Sequence, residues 1–403
     1  MTAPRVLHFS DTLLGKTETF VEARLHDDRY RSVAVTWQHV RDGLPIPCPY
    51  VVIDRHEPRG RNDGLMRLVF GPRRVLARNW AVLRVLLAAR PDVVHAHFGT
   101  VGSTVAPFCR ALGLPLVVSF YGFDLAAPAH DAKLAERYRL MFRVASAFTA
   151  EGPVLAEHLA RIGAPRDRVR LLPLAMPSWA MATPSPRAPR VSRVLRLLQV
   201  ARFVEKKGID LSLAAVAGAR ARGADVRLTL AGGGPLETAL RRQVADLAIE
   251  DAVQFIGYVS HDALPSLLAT SDALIQPSRV AASGDTEGGY PNILVESLAQ
   301  GVPVVGTRHA DLPFVVRDGD NGLLCAENDV AALTDLVHRL ATEPQLFEKL
   351  ARRARPSVLR RHDPIVLLRL KERIYREAQR RAHATQLPWK GLPLPDPFAQ
   401  VAR

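Results

Sequence analysis

Cysteine is scarce in this chain: Cys48, Cys109 and Cys325 are far apart and odd in number, which excludes a disulfide framework and points to a reducing compartment. No CxxC or Cys/His cluster indicates structural zinc. Long apolar runs are missing too. The most apolar window, Trp80–Ala89, is broken by Arg84 and reaches about half of the roughly 20 residues that cross a bilayer. Met1–Ser10 carries no cationic stretch followed by an apolar segment, so no secretory signal is read and a cytoplasmic protein is expected. There is no GxxxxGK[ST], and Gly232–Gly233–Gly234 does not extend to a GxGxxG fingerprint, which removes the ATP P-loop and NAD readings.

Against these absences stand 403 residues, 48% hydrophobic and 23% charged, enough for two or three domains with real cores. The net charge is +14, and only seven of the 54 basic residues are lysine. Such a balance suggests polyanionic partners. Nucleic acid is not expected, because no aromatic-interleaved basic groove or known binding motif is present and charge alone gives only salt-sensitive contact. An anionic membrane surface is the other candidate. Arg55 to Arg90 holds nine arginines and two acids among Leu65, Met66, Val69, Phe70, Trp80 and Leu83. A basic helix with an apolar face can lie on anionic headgroups, and the same periodicity also describes an ordinary core helix.

Two α/β halves are read from alternating apolar strands and helical patterns. Strands are expected at Arg5–Phe9, Ser32–Val35, Tyr50–Ile53, Val93–His97, Leu116–Phe120 and Ala147–Ala150. A Pro- and Ser-rich linker follows, and strands restart at 195–202, 226–232, 253–259, 273–278 and 302–307. The predicted domains are 1–180, a linker at 181–194, a second domain at 195–362, a helix at 363–383 packing back on the first domain, and a Pro-rich tail at 384–403.

Three stretches carry chemistry. In Gly288–Gly289–Tyr290–Pro291–Asn292–Ile293, two glycines open a helix that Pro291 starts and Gly301 ends, and free amides at such a start favour a phosphate. Glu296 lies among Ile293, Leu294, Val295 and Leu298; a carboxylate there either meets a partner such as ribose hydroxyls or occupies an exposed stripe. Arg202 and Lys207, after the first strand of the second half, could bind a diphosphate, Arg bidentately and Lys as a point charge.

Together ARFVEKKGID, LAGGGP, VQFIGYVS, EGGYPNILVESLAQGVPVVGT and RDGDNGLL, in this order, resemble the nucleotide-sugar half of the GT-B retaining glycosyltransferases of family four. The resemblance implies α/β GT-B architecture, two Rossmann-like domains with parallel sheets facing a central cleft. It implies that Arg202 and Lys207 bind the donor diphosphate, Glu296 the ribose, and the Gly289–Ile293 backbone the phosphate and sugar oxygens. Phe255, Gly257 and Tyr258 would lie by the base, and Glu287 would contact the transferred sugar. In the first half, Gly15 lies in the loop closing over the phosphates, His97 matches a histidine common at that strand end, and Tyr121 and Asp124 fall in the segment resembling HGxD. Three departures stand out. Eight residues separate Glu287 from Glu296, where the family has seven. Tyr121 replaces a histidine, and Phe314 a common glutamate.

The expected activity is metal-independent, cofactor-free retaining transfer of a hexose-like sugar from a nucleotide-diphosphate sugar to a saccharide or lipid-linked hydroxyl acceptor, in polysaccharide or glycolipid biosynthesis. A peripheral position at the inner membrane face goes with it. A sugar-nucleotide epimerase shares the architecture and would convert the donor without an acceptor.

Overall fold

The structure, a computed structural model, describes residues 3–13, 19–25, 29–39, 46–53, 79–126, 128, 131–181 and 193–383. They form two compact units. The first takes in the described residues of 1–150, 156–171 and 368 onward; the second takes in 151–155 and 172–367.

The first unit is built on β1 (Arg5–Leu13), β2 (Arg31–His39), β3 (Tyr50–Val52), β4 (Val93–His97), β5 (Leu116–Ser119), β6 (Ala147–Ala150) and β7 (Val169–Leu171). All pair in parallel, in the order β3-β2-β1-β4-β5-β6-β7. Strands β4, β5 and β6 are buried at every position, which is why they read as continuous apolar runs rather than alternations. Helical residues 79–89 turn Val82, Leu86 and Ala89 into this core, with Trp80 61% exposed. That portion of the Arg55–Arg90 stretch therefore spends its apolar face on the fold; residues 54–78 lie outside the described residues.

The second unit carries β8 (Leu195–Val200), β9 (Val226–Ala231), β10 (Val253–Gly257), β11 (Ala273–Gln276), β12 (Val304–Thr307) and β13 (Gly322–Cys325). Its order, β10-β9-β8-β11-β12-β13, is the doubly wound one, with a reversal between β8 and β11. The first sheet reverses between β1 and β4. Ligands in such sheets bind beyond the carboxyl ends of the strands at these reversals.

Hydrogen bonds explain where the units divide. Residues 172–180 group with the second unit because the Leu174 amide donates to the Tyr290 hydroxyl, the Met176 amide to the His362 carbonyl, and Arg355 to the Ala180 carbonyl. Residues 368–383 of the last helix group with the first, where Lys371 Nζ donates to the Arg24 carbonyl, Tyr375 meets His95, and Glu377 pairs with Arg170.

Candidate active site

At the reversal of the second sheet, β8 runs into Arg202 and then a short turn, Glu205–Lys207, closed by Gly208. Gly208 has φ +60°, and a Cβ there would stand 2.0 Å from the Pro277 carbonyl oxygen, so only glycine lets the turn come this close to the end of β11. Lys207 Nζ lies 2.7 Å from both carboxylate oxygens of Glu287. The pair is nearly sealed from solvent, with side chains 13% and 7% exposed. Burial alone would raise the Glu287 pKa, but the Lys207 charge and hydrogen bond, aided by Ser278 and Lys206, hold it below the ordinary value. Ser278 Oγ donates to Glu287 and accepts from Gln276 Nε2, both bonds near 2.7–2.8 Å. Arg202 is exposed, and its side chain makes no ion pair or hydrogen bond among the described residues.

The loop from Asp285 to Glu287 is tied down on two sides. Lys206 Nζ binds the Asp285 carboxylate and the Thr286 carbonyl, each at 3.0 Å. His309 Nε2 accepts from the Glu287 amide and the Thr286 hydroxyl, so its Nδ1–H faces Glu327 at 2.8 Å. The Glu287 carboxylate faces Lys207; the residue added between Glu287 and Glu296 falls after this loop, within Gly288–Tyr290, because Pro291 caps the helix that carries Glu296.

Next comes the glycine turn. A Cβ on Gly289 would stand 2.4 Å from Glu151 Oε2, so a larger residue there would have to push the Glu151 carboxylate aside. Tyr290 is buried, its hydroxyl accepting from the Leu174 amide at 3.0 Å. Pro291 is the cap rather than the first helical residue; the helix is Asn292–Ala299, no side chain caps it, and Ile293 is buried. Glu296 is only 5% exposed, so the exposed-stripe reading falls. Its Oε1 accepts from His261 Nε2 at 3.0 Å, while His261 Nδ1 faces Trp179 Nε1 at 3.4 Å. At the end of β10, Gly257 has φ +72° and Tyr258, 73% exposed, donates its hydroxyl to the Gly233 carbonyl at 3.1 Å. Phe255 packs edge-on against Phe203 and under the Arg241 guanidinium. Phe314 lies under the Arg361 guanidinium, 4.3 Å away, and beside Tyr290.

In the first unit His97 ends β4, fully buried, its Nδ1 2.8 Å from the Tyr121 hydroxyl. Burial, then the charges of Arg24 and Lys371, push its pKa down to about 3. Asp124 is buried, and its oxygens accept from the amides of Gly99, Tyr121 and Gly122. Burial outweighs those bonds and raises its pKa to about 6. It braces the turn that carries Tyr121. Gly15 lies outside the described residues. Among the described residues one group, His8, His95 and His97, brings three ligating atoms within 4.8 Å of one another. The positive charges of Lys371 and Arg24 act on this cluster and oppose any cation in it.

Two family profiles match the sequence: "Glycosyl transferase 4-like domain" over residues 21–175 and "Glycosyl transferases group 1" over 188–357. The putative colanic acid biosynthesis glycosyltransferase WcaL of Escherichia coli K12 is 31% identical over 67% of this chain and 66% of its own length. The chain belongs to the group 1 glycosyl transferases. The amylovoran biosynthesis glycosyltransferase AmsK of Erwinia amylovora is 27% identical over 62% of this chain and 61% of its own. The chain thus aligns with just under two thirds of these relatives' length. Among solved structures, Anabaena HepE in complex with UDP and glucose superposes with TM-score 0.70 at 17% identity, covering 92% of this chain and 98% of that one. Sucrose-phosphate synthase of Thermosynechococcus elongatus gives 0.71 at 16%, covering 93% and 98%. These likenesses give the fold, GT-B.

In this group 1 chain, sequence reading missed the groups that hold the assigned residues in place: Ser278 and Gln276 under Glu287, His309 and Glu327 behind the loop, His261 on Glu296, and His8 behind His97. A signal existed for His8 and His97. His97 closes β4 and His8 lies inside the neighbouring β1, the two strands that flank the reversal of the first sheet.

Proposed function

We propose that the chain transfers a hexose-like sugar, with retention and without a metal, from a nucleotide-diphosphate sugar to a hydroxyl acceptor in polysaccharide or glycolipid biosynthesis. The observation carrying this reading is the ammonium of Lys207, held by Glu287 beside the glycine turn that opens helix Asn292–Ala299. An ammonium has three N–H donors; two meet Glu287, and the third suits a phosphoryl oxygen. Arg202, exposed and without an ion-pair partner among the described residues, supplies a second cation, and the helix start, which no side chain caps, supplies amides for an anion. The relatives named for colanic acid and amylovoran biosynthesis support the polymer, and HepE with UDP and glucose supports the donor class.

In this reading the bond between sugar C1 and the diphosphate oxygen breaks. That oxygen takes the proton of the incoming hydroxyl, and the new C1–O bond forms on the same face. Charge gathering on the departing diphosphate is met by Arg202, Lys207 and the helix amides, and each charge-assisted contact contributes about 1.5–3 kcal/mol. Glu296, with His261, faces the ribose. The acceptor is a lipid-linked saccharide at an anionic membrane surface.

A thermal-shift panel of UDP-, GDP- and ADP-sugars, followed by anomeric analysis of the product with chelator present, tests this. The matching donor at a hundred times its Kd should stabilise the chain by about 2.7 kcal/mol. No stabilisation by any donor, or an inverted product, would overturn it.

A further inference from the structure

Three imidazoles stand at the reversal of the first sheet: His8 on β1, and His95 and His97 on β4. The rings of His8 and His97 stack at 5.4 Å with 15° between their planes. His8 Nδ1 lies 3.1 Å from His97 Nε2, and His97 Nδ1 lies 2.8 Å from the Tyr121 hydroxyl. The remaining nitrogen, His8 Nε2, is buried without a hydrogen-bond partner. Burial first, then the neighbouring His97 and Lys371 for His8 and the charges of Arg24 and Lys371 for His97, keep both rings neutral.

A neutral imidazole has one N–H and one bare nitrogen, so this chain of contacts runs in one of two directions. In the first, His8 Nδ1–H donates to His97 Nε2, His97 Nδ1–H donates to the Tyr121 oxygen, and the unpartnered His8 Nε2 is a bare lone pair. In the second every bond is reversed, and His8 buries an N–H with nothing to accept it. An orphaned buried donor is rarer than an unfilled acceptor, which selects the first direction. His95 does not interfere, since its nitrogens meet the Tyr375 and Ser119 hydroxyls, both at 2.7 Å.

We propose that His8 and His97 are positioning residues that fix the polarity of the Tyr121 hydroxyl: it accepts from His97 and gives its own proton to an oxygen of the sugar substrate. The last step rests on the transferase reading; the direction of the relay does not. Tyr121 stands where the resembling family has a histidine, which can present a donor or a bare nitrogen. The relay makes this position a donor only.

Long-range nitrogen–proton spectra of the chain labelled with 15N-histidine report which ring nitrogen carries the proton, with His8→Gln and His97→Asn assigning the signals. Nδ1–H on both His8 and His97 is expected; Nε2–H on His97 overturns the proposal. In a transfer assay, Tyr121→Phe should lower kcat/KM about tenfold, the worth of one hydrogen bond, while the affinity for free nucleoside diphosphate stays unchanged. His97→Asn, whose amide donates from the Nδ1 position, should stay within about threefold of wild type, and His97→Leu should match Tyr121→Phe. Equal loss in the two His97 variants removes the positioning role. Absence of transfer with every donor removes the transferase reading and leaves the spectra to decide the relay alone.

Discussion

Lys207 and Glu287 show why a single residue cannot be read by its charge alone. Removing the lysine deletes a contact to the donor and also leaves a buried carboxylate without its counter-ion, a loss of about 3–5 kcal/mol. Lys207→Ala should therefore lower the urea midpoint sharply, and adding Glu287→Gln should restore most of it while diphosphate release stays at least about tenfold down. Additive stability losses in that cycle would show that the pair does not couple. Buried histidines set a second residue-scale property. His97 and His362 have pKa values pushed down to about 3 and about 4, chiefly by burial, and His8 and His95 are also depressed. Below the unfolded value near 6.5, the unfolded chain takes up protons that the folded one refuses, so stability falls as pH falls, by about 1.4 kcal/mol per unit for each such histidine. Asp124, raised to about 6, works oppositely between about pH 4 and 6, one group against four. Urea midpoints should thus drop steeply from pH 7 to 5; a flat profile would contradict the neutral burial of these rings.

Elements were legible where their periodicity was long or their burial complete. Eleven of the strands can be read as apolar runs, and helix Asn292–Ala299 from its proline and glycine punctuation. Short pieces escape: β7 has three residues and is partly exposed, and β13 begins at a glycine after Asp320–Asn321, which reads as a turn. The helix Pro344–Leu359 hides behind Pro344 and an internal Pro356. Contacts between elements leave still less trace, which is why Arg202, Lys207 and Glu287 were visible as motif residues and Ser278, His309 and His261 were not. Gly208 lies between these cases, because its glycine was in a motif but its reason is a neighbouring strand end. It and Gly223 both have positive φ, +60° and +86°, yet a Cβ on Gly208 would be 2.0 Å from a carbonyl oxygen and one on Gly223 would meet nothing within 4 Å. Gly223→Ala should cost about 1 kcal/mol, Gly208→Ala about 3 kcal/mol with Lys207 displaced. Equal urea midpoints for the two variants would show that the close approach is not what selects glycine there.

For the whole molecule, the arginine excess should act on where it works rather than on how it folds. No helix among the described residues is long and apolar enough to cross a membrane, and helical residues 79–89 turn their apolar side inward. Attraction to an anionic surface would then come from charge with little insertion. The last helix, Pro364–His383, exposes Arg369, Arg373 and Arg380, none with an ion-pair partner among the described residues, whereas Arg376 is paired with Glu372. Cations near an anionic leaflet contribute about 1 kcal/mol each and are screened over about 8 Å at physiological ionic strength. The chain should sediment with vesicles containing phosphatidylserine at low salt, release as salt rises, and lose most of its binding in Arg373→Glu/Arg380→Glu without change in fold. Binding that survives high salt would instead mean apolar insertion, for which Trp80 and, on the last helix, Ile365 are exposed candidates. No sedimentation at low salt would separate the +14 charge from any membrane role and turn the search for the acceptor toward a soluble saccharide.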